Sequence, residues 1–302
     1  MYKNLNPSSI GISGRQSEVI ELAMTYGFKG VDIDLGDLVK RSQRGSFEKA
    51  ARYLTSSKIR VGGFEIPIDL DDDDSAYGVR LAQLHGAAEI AKRVGAPQGM
   101  LRIPPATDRL PYHEFFSVIR KRIDEVAAVM AKEDIKVGLH FSAAADLGAN
   151  KQFKFVSDVE GFLALFRSCT SKNVGLTVDS WQWHVGGGTF EQIVELPADR
   201  IVSLRIADIG EDIAKSDATL KNRLLPGTTK VIDNVRILSH FASAGYSGPL
   251  TPMGHSSTSN SNMTRDAIVS AAQAAFDKVC EEAGIPCQSR RPEMFAETSS
   301  SY

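Results

Sequence analysis

Cysteine is scarce in this chain of 302 residues: Cys169, Cys280 and Cys287 are the only ones. They are odd in number and lack metal-ligand spacing, which argues against a cysteine-built zinc site. A bridge between Cys280 and Cys287 would depend on geometry alone, so a reduced, cytoplasmic setting is the expectation. Long hydrophobic runs are absent as well. No stretch reaches the roughly 18 consecutive apolar residues of a membrane span, and nothing after Met1-Tyr2-Lys3-Asn4 has the apolar length of a signal peptide. Positive charge is not in excess: 35 Lys and Arg face 37 Asp and Glu, a formal net charge of −2. That speaks against a general nucleic-acid binder, which needs concentrated positive charge opposite phosphates. A glycine-rich phosphate turn is missing too. Ile12-Ser13-Gly14-Arg15 holds one glycine where a dinucleotide fold would place several. The five aspartates of Asp69–Asp74 lack the glycine turn and ligand rhythm of a calcium loop. They read as a solvated loop feeding the next helix, whose N-terminus favours negative charge.

What is present is the balance of a water-soluble chain with a sizeable core: 42% hydrophobic and 24% charged residues. The length suits one large α/β barrel or two ordinary domains. Short β-branched apolar runs predict strands at Ser9–Ser13, Gly30–Leu35, Ile59–Ile68, Met100–Ile103, Lys136–Phe141, Val174–Val178, Ile201–Ile206 and Gly248–Thr251. Between them apolar residues step by three and four, as in Tyr77, Leu81, Leu84, Ala88 and Ala91, or Ile268, Ala272, Ala275 and Val279. These stripes read as core-facing helix surfaces. Gly27 and Gly95 are placed as left-handed helix stops, Pro111 as the start of a helix, and Thr189 with Gln192 as a capping box. Eight strand–helix alternations without an internal linker predict a single (β/α)8 TIM barrel over residues 1–288, with a polar C-terminal tail over 289–302. A doubly wound open sheet is the alternative.

Chemistry in such barrels sits at the C-terminal strand ends. Those ends carry Asp34, Glu65 and Arg102 on strands two to four, His140 on the fifth, and Asp179-Ser180-Trp181-Gln182-Trp183-His184 after the sixth. The seventh gives Arg205 and Asp208, then Arg223 and Leu225-Pro226-Gly227; the eighth gives Met253 and His255. His85, His113 and His240 lie on helical stretches away from these ends.

Gly175-Leu176-Thr177-Val178-Asp179-Ser180-Trp181, the loop from Leu225 to Asp233, Ala244-Gly245-Tyr246-Ser247-Gly248-Pro249-Leu250, and Phe64 to Leu70 together resemble the xylose-isomerase-like TIM barrels. That superfamily includes sugar-phosphate isomerases and epimerases, sugar dehydratases and endonuclease IV. The resemblance spans nearly the whole chain. It implies a divalent metal held by Glu, Asp, His and Glu from strands five to eight, polarising sugar oxygens while glutamates move protons. It also implies a small-molecule partner (a sugar, sugar phosphate or sugar acid), and it leaves room for a homodimer.

Transferred onto this chain, the implied metal set survives only at Asp179; its other positions hold His140, Arg205 and Met253. An arginine offers no lone pair and repels a dication, and a thioether is a poor ligand for a hard metal. The expectation is a mouth without a metal cofactor. The alternative is one divalent metal (Mn, Zn, Co or Mg) on His140, Asp179 and His184. Catalytic candidates are His140, Asp179 and Glu65. Candidates for substrate binding are Arg102, Trp181, Gln182, His184, Arg205, Arg223 and His255. Arg205 is expected to pair with Asp179 or Asp208. Trp181 and Trp183 could stack on a sugar or pack in the core, and Arg223 could hold an anion or lie in solvent. The functional expectation is an isomerase- or epimerase-family protein that binds a small carbohydrate-like ligand with metal catalysis lost or altered. A rebuilt His/Asp metal site is the alternative. An endonuclease-IV-like repair enzyme is disfavoured by six histidines mostly off the strand ends and by the net charge.

Overall fold

The computed structural model describes residues 1–254 and 263–286. Eight parallel strands close into one barrel. They are β1 (Tyr2–Leu5), β2 (Gly30–Ile33), β3 (Arg60–Glu65), β4 (Gln98–Arg102), β5 (Lys136–His140), β6 (Val174–Asp179), β7 (Ile201–Ile206) and β8 (Pro249–Pro252). Each pairs with the next, and β8 returns to β1 with Tyr2 opposite Pro249. Around them run α1 (Gln16–Thr25), α2 (Leu35–Arg44), α3 (Phe47–Ser57), α4 (Asp74–Arg93), α5 (Tyr112–Ala131), α6 (Val159–Ser168), α7 (Ser180–Val185), α8 (Phe190–Val194), α9 (Asn234–Ser243) and α10 (Arg265–Glu282). Among the described residues no helix is long and apolar enough to cross a membrane.

Local signals explain most boundaries. Gly27 and Gly95 take positive φ of 68° and 74° after α1 and α4, the conformation glycine adopts without a Cβ penalty. Thr189 and Gln192 form the capping box that opens α8. Pro111 sits one position earlier than expected, as the residue before α5. Asp34 is a helix cap, accepting the Asp37 N–H at 2.8 Å. Its side chain therefore serves α2 and not the barrel mouth. The aspartate run caps α4 through Asp73, as its charge suggests, but it is less solvated than expected. Buried Arg122 donates to the carbonyls of Leu70 and Asp72 and to the Asp74 carboxylate, and Thr107 donates to Asp71.

The first strand is misplaced in the sequence reading. Ser8–Ile10 is a short 3₁₀ helix, and β1 lies earlier at Tyr2–Leu5. Its polar residues hide it. Lys3 is buried against α10, 2.6 Å from Asp277, while Asn4 points along the barrel axis. Asn4 fills the space over Gly62 on β3, where a Cβ would stand 1.9 Å from its Oδ1. Gly138 on β5 likewise yields space to Thr177 and Val202. Glycine on one strand beneath a larger side chain from the next strand but one is how a barrel interior fills in layers.

Gly62→Ala should therefore lose about 1–3 kcal/mol in urea unfolding through overpacking. Gly78→Ala on α4 meets open space and should gain about 0.5–1 kcal/mol. Equal effects at the two sites would contradict this packing.

Candidate functional site

Three strand pairings bring the mouth residues level. Asp179 on β6 lies opposite Arg205 on β7, and Arg205 lies opposite Thr251 on β8. On the other side Arg102 of β4 lies opposite His140 of β5. A register shift between Val31 and Asp32 sets which residues of β2 face the axis. Asp32 is among these: its Oδ1 accepts from Asn4 at 2.8 Å and its Oδ2 from Asn6 at 2.9 Å. Asn4 also donates to Thr251.

Arg205 donates from Nη2 to Glu65 Oε1 at 3.2 Å, and Glu65 Oε2 meets His140 Nε2 at 3.1 Å. The expected pairing of Arg205 with Asp179 or Asp208 is thus corrected: its hydrogen-bond partner is Glu65, across the barrel. Asp179 has another partner. Its Oδ2 accepts from Arg223 at 3.0 Å, and its Oδ1 caps α7 by accepting the N–H groups of Trp181 and Gln182. Asp208 is wholly buried and spends its oxygens on the N–H groups of Ile209, Thr229, Lys230 and Ile232. That shapes the loop after β7 so that a ribbon of Asp208–Ile209 with Arg223–Leu224 returns Arg223 to the mouth.

Arg223 is therefore a buried latch, 7% exposed, and not a solvated loop charge. Its guanidinium lies 5.0 Å from the Trp181 ring centre. Trp181 is fully buried beneath it and presents no face to a ligand; Trp183 is core, its indole N–H bonded to the Thr189 carbonyl. Gln182 braces the loop after β5 by accepting the Ala143 N–H at 2.7 Å. These three residues support the mouth; they do not line it. His184 is half-buried beside Lys215 and Asp208, and burial lowers its pKa, with the Lys215 charge adding to the effect. His255 lies outside the described residues.

Charge is finely distributed here. Burial opposes ionisation of Glu65, yet His140, Arg205 and Arg102 more than offset it and hold the carboxyl well below its usual range. Burial lowers the pKa of His140, although Glu65 pulls the other way. Asp32 goes in the opposite direction: burial pushes its pKa up, and Arg205 and the two asparagines only partly counter this. For Arg205 burial is outweighed by Glu65, Asp32 and Asp179, and its pKa rises. One guanidinium serves three carboxylates.

These residues do not fit a divalent metal. Permanent cations already stand against two of the three carboxylates, Arg205 on Glu65 and Arg223 on Asp179, and a guanidinium repels a dication. His140, Asp179 and His184 are not gathered into a site. Among the described residues no three His, Cys, Asp or Glu side chains are grouped to hold an ion.

Asp179→Asn keeps the helix cap, since asparagine caps as well as aspartate, but it strands Arg223. It and Arg223→Met should each lose about 3–5 kcal/mol in urea unfolding, and the double variant less than their sum. Additivity would disprove the latch. Glu65 ionises below its ordinary range, so its contribution is complete above its unfolded value near 4.3 and drains away as pH falls through it. Glu65→Gln should flatten the acid limb of the stability–pH curve; an unchanged limb would show that Glu65 gains nothing from its neighbours.

The family model for the xylose isomerase-like TIM barrel matches residues 20–289. No functionally curated protein matches the chain. Among solved structures, a xylose isomerase domain protein from Alicyclobacillus acidocaldarius is 23% identical, with a TM-score of 0.82 over 94% of this chain and 99% of that one. An IolI protein with a bound zinc atom is 17% identical, with a TM-score of 0.76 over 94% and 98%. A D-psicose 3-epimerase from Clostridium cellulolyticum, solved with D-tagatose, is 15% identical, with a TM-score of 0.71 over 94% and 99%. At these identities the structural likeness is one of fold. The matched span and the closed parallel barrel agree, and the chain belongs to the xylose isomerase-like TIM barrel family.

Proposed function

We propose that the barrel mouth binds a small carbohydrate-like anion, a sugar acid or sugar phosphate, and acts on it as an isomerase- or epimerase-type site without a divalent metal. The observation that carries this reading is the position of Arg205. Its fixed positive charge stands among Asp32, Glu65 and Asp179, where relatives in this superfamily are expected to place their cation. Arg205 is 6% exposed, and its Nε–H has no partner among the described residues. Arg102 is exposed at the end of β4. Two guanidiniums, one deep and one at the rim, suit a carboxylate or phosphate that enters from solvent. Glu65 then accepts from sugar hydroxyls. Arg223 belongs to the wall, because Asp179 already holds it.

Elemental analysis of protein purified without chelators should find no stoichiometric metal. In melting experiments, gluconate, glucuronate and ribose 5-phosphate should stabilise the protein, and glucose and xylose should not. A ligand at a hundredfold excess over its Kd adds about 2.7 kcal/mol, a rise of several degrees for a protein of this size. Arg102→Ala should remove most of that rise. Arg205→His should weaken it without bringing metal-dependent turnover. A tightly held Mn, Zn, Co or Mg whose removal abolishes turnover would overturn the proposal.

A further inference from the structure

Among the described residues Asp32 is the one mouth carboxylate without an ion pair. Asp179 is tied to Arg223, and Glu65 to Arg205 and His140. Asp32 is held by two neutral amides, Asn4 and Asn6. It is half-buried, so part of it reaches the mouth. Asn4 and Asn6 fix its plane from β1 and the turn that follows, and each leaves the oxygen it meets a second lone pair. Arg205 from β7, Glu65 from β3 and Tyr2 from β1 are the charged and titratable groups whose fields it shares. The environments of Asp32 and Glu65 push the two carboxyls in opposite directions, one toward the acid and one toward the anion. Two titratable groups separated in this way within one cleft are the usual mark of an acid and base division of labour.

We infer that Asp32 and Arg205 are the electrophilic groups of the mouth, polarising the carbonyl of an anionic α-hydroxycarbonyl sugar derivative, and that Asp32 acts as the acid toward that oxygen as the adjacent carbon loses its proton. This rests on the reading of the mouth as a ligand site. A carboxylic acid kept neutral by its surroundings can donate to a developing oxyanion, a task that a polarising metal performs in other sites. The carbon's proton passes to His140, and the imidazolium so formed is steadied by Glu65 across 3.1 Å. The C–H electron pair becomes the C=C bond of an enediol, and the carbonyl π pair becomes the new O–H bond to the Asp32 proton. Asp32 is left as carboxylate and His140 as imidazolium. Collapse of the enediol reverses both transfers, so no oxidant, reductant or co-reactant is consumed.

The test is proton NMR in deuterium oxide containing EDTA, with fructose 6-phosphate and 2-ketogluconate as probes. Wild type should wash deuterium into the carbon next to the carbonyl, with a rate that falls as pH rises through the Asp32 titration. Asp32→Asn keeps the shape but cannot give up a proton, and should slow exchange by about 100-fold or more. Its probe-induced melting shift should be retained. Carbon-13 labelled aspartate should show Asp32 titrating above the ordinary carboxylate range, and higher still in Arg205→Met. Exchange as fast in Asp32→Asn as in wild type, or an Asp32 that titrates in the ordinary range or below it, would overturn the inference. Binding of a probe without exchange would do so as well, while leaving the ligand reading intact. If neither probe binds, both fall.

Discussion

The arrangement of the mouth depends on a single buried monocation. Arg205 is among the least exposed charged residues of the chain, and burial alone would work against its charge. Glu65, Asp32 and Asp179 reverse that balance. A guanidinium is planar, stays protonated and spreads its donors in a fork, so it can satisfy carboxylates that approach from several strands at once. In return it biases their titration: after His140 it helps to lower the pKa of Glu65, and it adds to the burial that lowers that of His140. Strand pairing puts this cation level with Asp179 and Thr251. The electrostatics of the site are therefore a direct product of barrel register.

A second layer of support lies outside the first. Arg223 arrives from a long loop that would drift without Asp208, whose four accepted N–H groups fold the backbone back on itself. The latch to Asp179 then rests on Trp181, an apolar floor that raises the cost of separating the pair. Gln182 joins the same short helix to the loop after β5. Trp181, Gln182 and Arg223 are in this sense the masonry of the pocket, while Glu65 and Arg102 are exposed and Asp32 is partly so.

Much of the fold was legible because barrel strands buried on both faces read as apolar runs, and because glycine stops and the Thr189 capping box mark helix ends. The strand that escaped, Tyr2–Leu5, carries Lys3 and Asn4, polar residues whose burial depends on partners such as Asp277 and Gly62 hundreds or tens of residues away. Losing that strand also hid Asn4 and Asn6, and with them the environment of Asp32. A signal for Asp32 did exist: within Gly30–Leu35 it alternates with Val31 and Ile33, so it faces the opposite side from those core residues, whereas Asp34 lies beyond the strand. The location of Glu65, Arg102, His140, Asp179 and Arg205 at or near strand ends is legible because position along a strand is a sequence property. Which carboxylate pairs with which arginine is not, since it depends on side-chain reach across the barrel and on where the loop after β7 returns.

The Asp179–Arg223 latch has a consequence for how this lineage can change. Losing either partner alone leaves a buried ion uncompensated, and replacing Arg205 alone leaves three carboxylates crowded together. Each single step away from the present network crosses a less stable intermediate, so a change to an ion-held mouth would need several coordinated replacements. The charge network thus makes stepwise replacement costlier at the mouth than at the rim or on the outer helices.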